Sequence, residues 1–166
     1  MKNLLFIPFL LLFLKCEQST SIETSENIFA IYLLKDSTLT ARDALSVSIE
    51  NLILSEKHFI SGKDIKSYMW KEHSFYLTEE AEENFENFRR YKGSTRGIPF
   101  VILAFNERIY TGTFWWAYSS SMPPKCAVIE TISPLPHKIN ITNGAEDKRS
   151  DSRIRNSLKM LNILSE

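Results

Sequence analysis

The chain has 166 residues, with 20 Lys and Arg against 20 Asp and Glu, five Gly, six Pro and two Cys. That length suits one domain with its own hydrophobic core and needs no disulfide framework, and so few Gly and Pro exclude a fibrous or low-complexity chain. Balanced charge offers no basic face to displace counterions from phosphates, so nucleic acid is not an expected partner.

Met1-Lys2-Asn3 is a short positive head, and residues 4–14 (LLFIPFLLLFL) form an apolar run broken at Pro8. A bilayer-spanning helix needs ~20 apolar residues, so residues 1–15 are expected to be a secretory signal peptide. Cys16 follows directly and is the expected lipid-attachment residue of a bacterial lipoprotein. Its acyl chains (palmitate among them) would anchor the chain to a membrane, facing the periplasm or the cell exterior. Lys15 stands where a lipobox has a small residue. Cleavage after Ser19-Thr20-Ser21, giving a secreted chain, is the first alternative, and an uncleaved anchor the second. Residues 16–26, rich in Ser, Thr and Glu, read as a disordered tether. Residues 27–166 are then a single domain.

Residues 27–34 (NIFAIYLL) are apolar on both faces and read as a central strand. Thr40 with Asp43 is a weak capping box opening a helix, in which Ala41, Ala44, Leu45, Ile49 and Leu52 share a face. Residues 55–67 read as loop and turn, and His73-Ser-Phe-Tyr-Leu77 as a strand. Thr78 caps the clearest helix of the chain. Glu79, Glu80, Glu82, Glu83 and Glu86 lead it, Arg89, Arg90 and Lys92 close it, and Ala81, Phe85 and Phe88 form its apolar stripe. That charge order suits the helix dipole, at ~0.3–1 kcal/mol per well-placed residue.

Residues 93–97 (GSTRG) break this helix, and residues 99–116 (PFVILAFNERIYTGTFWW) read as a β-hairpin with a polar break at Asn106-Glu107. Strand, helix and hairpin in this order suggest a β-α-β-β unit with a right-handed crossover. Beyond a turn-rich stretch, CAVIETI and KINIT are two more strands, Asn143-Gly144 a turn, and residues 151–164 an amphipathic helix. The expected fold class is α+β: a single mixed or antiparallel sheet covered by two or three helices.

Chemistry is thin. His58, His73 and His137 lack metal-ligand spacing, so no metal site is expected. No phosphate-cradling glycine loop or nucleophile elbow occurs, so neither cofactor nor catalytic residue is assigned. Ser119 or Ser120 with His73 is the only conceivable hydrolase pair. Tyr110, Phe114, Trp115, Trp116 and Tyr118 form a dense aromatic cluster. Trp115 and Trp116 must point to opposite faces of a strand. With Trp115 in the core, Trp116 and Tyr118 would stand exposed beside Arg96 as a stacking surface. The candidate binding residues are therefore Arg96, Tyr110, Trp115, Trp116, Tyr118, Ser119 and Ser120. The alternative is that these aromatics fill the core.

Asp64, Ile65, Tyr68, Trp70 and His73, then Pro99-Phe100-Val101, then Tyr110, Gly112, Phe114, Trp115, Ser119 and Ser120 make a pattern. It resembles that of small bacterial cell-envelope lipoproteins of unassigned function. More loosely, the Leu77-Thr78-x-x-Ala81 helix and the following hairpin are similar to the periplasmic domain of SecD-type export proteins. The resemblance implies an α+β domain outside the inner membrane and brings no chemistry. Three readings follow: a non-catalytic domain binding a small ligand or a protein, a structural subunit of an envelope assembly, and a small Ser/His hydrolase.

Overall fold

The computed structural model describes residues 28–132 and 135–166. The expected leader, the lipid-attachment residue Cys16 and the tether lie outside the described residues. Nine strands form one mixed sheet: β1 (Phe29–Leu33), β2 (Ile60–Ser61), β3 (Ile65–Met69), β4 (Ser74–Leu77), β5 (Ile98–Ala104), β6 (Glu107–Trp115), β7 (Ala127–Glu130), β8 (His137–Ile141) and β9 (Leu164–Ser165). Their order is β2-β1-β5-β6-β7-β8-β4-β3-β9. The β6–β7 and β3–β9 pairs are parallel and the rest antiparallel. Among the described residues three helices accompany the sheet: α1 (Ala41–Leu45), α2 (Glu79–Tyr91) and α3 (Ser152–Met160). The α+β class holds.

The connection between β2 and β3 forces the sheet to curl. β2 is one edge strand, β3 lies next to the other edge, and only the 3-10 turn Gly62–Asp64 joins them. In a flat sheet seven strand spacings would set them roughly 34 Å apart, whereas so short a link reaches ~10–15 Å. Ser61 and Asp64 lock that turn with a capping box, the Ser61 amide and hydroxyl each donating to Asp64 Oδ2 at 2.7 Å.

The expected hairpin is present, with its turn one residue earlier than the polar break at Asn106-Glu107 and its first arm starting at Ile98. β5 and β6 pair antiparallel from Ile98↔Phe114 to Ala104↔Glu107, across a two-residue turn at Phe105 and Asn106. Both turn residues have positive φ (52° and 62°), the geometry that matches strand twist. A bulge between Ile102 and Leu103 sets Ile109 out of register.

Both faces of the hairpin are covered. Phe100, Ile102, Tyr110, Phe114 and Trp116 point inward with Phe85 and Phe88 of α2 and with Ile154 and Leu158 of α3. Phe114 is the hub: its ring lies 4.9 Å from Phe100, 5.1 Å from Phe88, 5.3 Å from Phe59 and 5.8 Å from Phe85. Outside, Val101 packs with Leu34, Ala44 and Leu52. Trp115 packs there with Cys126 and Val128.

Four expectations change. β4 and β5 are separated by β6, β7 and β8 and do not form neighbouring strands of a β-α-β-β unit; β8 occupies the flank of β4. The stretch read as loop, residues 55–67, holds β2 and the start of β3. α1 stops at Leu45, where Ser46 Oγ donates back to Asp43 O at 2.6 Å, and a 3-10 turn, Ile49–Asn51, carries the rest of that apolar face. The last helix ends at Met160, because Asn162 takes a φ of 57° and turns the chain into β9.

Candidate functional site

Three segments distant in sequence converge on one groove of about 710 Å³: the end of β1 with the loop into α1, the last turn of α2, and residues 92–99. Leu33, Leu34, Leu39, Phe88, Ile98 and Pro99 supply its apolar lining, and Lys92 and Arg96 its cations. A cavity of that size is ordinary for a small-molecule site. Tyr91, largely exposed, stands at its rim.

Each wall has a local cause. Asp36 ends β1 by accepting from the Thr38 amide (2.9 Å) and hydroxyl (2.6 Å), and these bonds hold its carboxyl below the usual range. Thr40 and Asp43 form a reciprocal capping box that starts α1. Gly97 has a φ of +75°, and a Cβ there would sit 2.5 Å from Thr113 Oγ1 and 2.8 Å from the Trp115 ring, so only glycine lets the chain turn into β5 this tightly.

The candidate binding residues divide sharply. Arg96 lines the groove. Trp116 does not stack on a ligand: it is 1 % exposed, inside the main core, with Nε1 donating to Arg89 O at 3.3 Å. Of the two readings the sequence left open, the exposed Trp116 is overturned and Trp116 fills the core; the second face of β6 is the interior, with α2 over it. Trp115 is buried on the opposite face against Gly97. Tyr118 is 57 % exposed and its hydroxyl meets Gly93; Ser119 Oγ donates to Thr95 O. Three of the seven residues, Trp115, Tyr118 and Ser119, therefore brace the loop 93–97 from behind. Ser120 is exposed, and Tyr110 is elsewhere, in the main core. Lys92 and the segment 33–40 escape sequence reading because nothing local signals their convergence.

No family model, curated protein or solved structure matches this chain. Its function has to be argued from its own residues.

A second polar cluster surrounds His73, which takes a left-handed backbone (φ 49°) just before β4. Tyr68 Oη lies 3.5 Å from its Nδ1, and Ser150 Oγ 3.4 Å from its Nε2. Of the two serines conceivable as its partner from the sequence, Ser119 is engaged with Thr95 and Ser120 is exposed. The nearby carboxylate, Asp147, is held by Arg149 through bonds of 2.7 and 2.9 Å, which bring its pKa down to about 2. Arg149 also donates to Ile139 O. Among the described residues no carboxylate is hydrogen-bonded to the imidazole, so they assemble no Ser-His-Asp relay. Cys126 is a buried thiol pushed up to about 11 by burial, a small apolar filler rather than a nucleophile. Among the described residues, no group of three or more His, Cys, Asp or Glu could hold a metal ion. No helix there is long and apolar enough to cross a membrane.

Burial lowers the pKa of His73, and the Arg149 guanidinium adds to the effect. As pH falls below ~6.5 the unfolded chain takes up the proton before the folded one does, so stability declines until the lowered folded pKa is passed. Urea unfolding of the wild type between pH 7.5 and 5 is expected to show this loss. His73→Asn, which tolerates the left-handed backbone, is expected to flatten the slope; an unchanged slope would assign it to other groups.

Proposed function

We propose that this chain is a cell-envelope lipoprotein domain, anchored through Cys16, that binds a ligand without transforming it. One observation carries the binding part: the groove, with its apolar lining, two cations and a loop braced from behind. The address rests on the sequence alone, on the positive head, the apolar run and Cys16. Intact mass of the membrane-extracted chain tests it. A mature chain beginning at Cys16 with acyl chains attached is the expected result, and an unmodified chain beginning near Ile22 would refute it.

Less supports an assembly subunit joined through a sheet edge. The outermost strands β2 and β9 are two residues long, and Ile60 and Ser61 are buried, which leaves little backbone for a partner strand. The hydrolase reading has one observation in its favour, the Ser150–His73 contact, which replaces the Ser119 or Ser120 pair. A fluorophosphonate probe that labelled Ser150 would establish it, and absence of labelling is expected here.

A further inference from the structure

The groove's inventory of free polar groups narrows the class of ligand, given that the groove is a binding site. Three of the six hydroxyls at its rim are already engaged, while those of Ser37, Thr95 and Tyr91 point from exposed residues and carry no hydrogen bond among the described residues. Thr38 Oγ1 donates to Asp36, Thr40 Oγ1 to Asp43, and Ser94 Oγ accepts from the Arg96 amide at 3.1 Å and donates to Gly97 O. Two of the carbonyls at the end of α2 are also met: Phe88 O by the Lys92 amide and Arg89 O by Trp116 Nε1. The charged groups that remain free to act on a ligand are Lys92 and Arg96, both exposed and neither in an ion pair among the described residues. The acids nearby, Asp36 and Asp43, are tied to the threonines beside them, though Asp43 still feels Arg96.

Such a site rewards one negative group and an apolar body. A neutral polar ligand could use the three free hydroxyls, which are exposed and bonded to water without it, but would leave both cations without a counter-charge. A cation would meet two like charges in a partly desolvated cleft. From this we infer that the groove takes an amphiphilic anion, an alkyl chain ending in a carboxylate or phosphate. The chain lies against Leu33, Leu34, Leu39, Phe88, Ile98 and Pro99, and the head is held by Arg96 and Lys92. Arg96 is the better specificity residue. Its planar fork suits either head group, and its backbone is pinned at both ends, the amide by Ser94 and the carbonyl by the Ala41 amide at 3.4 Å.

The test uses the full chain in nanodiscs of zwitterionic phosphatidylcholine and photoreactive diazirine analogues of octanoate, octyl phosphate and octanol. Mass spectrometry then locates labels in the peptides covering residues 33–40 and 88–99. Both anions are expected to label these peptides about tenfold more efficiently than the alcohol, as charge-assisted bonds in a partly shielded site allow. The doubly substituted chain, Lys92→Gln with Arg96→Gln, is expected to fall to the alcohol's level with its unfolding midpoint unchanged. Competition by unlabelled octanoate against octyl phosphate identifies the head group. If the alcohol labels the groove as well as the anions do, or the double variant keeps the preference, the anion inference fails and the binding groove stands. If none of the three probes labels these peptides, both fall together.

Discussion

Trp116→Ala is expected to cost about 3–5 kcal/mol of stability, the range for emptying an aromatic site in a packed core, with a fall in Tm on the order of 10 °C. The indole is almost wholly enclosed and lies 5.7 Å from the Phe88 ring. It also caps α2 by donating to Arg89 O. Trp116→Phe separates the two roles. It keeps most of the apolar contact, removes the donor, and should cost roughly 1 kcal/mol from the lost bond plus a small cavity term. Urea unfolding of both variants checks this. Were Trp116→Ala to unfold like the wild type, the indole would have to lie outside the core, as the other reading of the sequence had it.

Gly97→Ala is the second large effect, and it reaches the groove. The new methyl meets two penalties. The first is a left-handed backbone, worth about 1–3 kcal/mol for a non-glycine residue. The second is a collision with Thr113 Oγ1 and the Trp115 ring, worth a further ~1–3 kcal/mol. The Trp115 ring cannot swing clear, since Cys126 and Val128 pack against it. Strain of this size should push residues 93–97 away from β6, carry Arg96 off its position and weaken anion labelling of the groove. Gly93→Ala is the internal comparison. Its Cβ would meet only the tip of the exposed Tyr118 side chain, 2.2 Å from Oη, which can rotate into solvent. Its cost should stay below about 1 kcal/mol. Equal effects at the two glycines would show that loop 93–97 is not braced by Trp115.

How far the sequence reaches can be seen element by element. α2 was legible because everything that makes it is local: Thr78 accepts from the Ala81 amide, and Ala81, Phe85 and Phe88 fall on one buried face. The β5–β6 hairpin was legible for the same reason, a dense apolar run folding back across two residues. β2 and β3 were not. They owe their existence to partners far along the chain, with Ile60 paired to Ile31 and Tyr68 to Leu164. The last helix was overextended because Leu164 continues its apolar spacing while Asn162 has already turned the backbone.

Period-two alternation was enough to place Trp115 and Trp116 on opposite faces of one strand, but not to say which face is the interior. That depends on the curl of the sheet, which the short β2–β3 link imposes, and on α2 settling over Phe114 and Trp116. The groove is likewise a product of the tertiary arrangement. The residues themselves write the amphipathic helix, the hairpin and the single arginine at its approach, because each is a short-range pattern of charge and apolar spacing. Only folding brings the end of β1, the end of α2 and the loop before β5 to one place, since that convergence comes from strand order in a curled sheet and leaves no mark in any one segment.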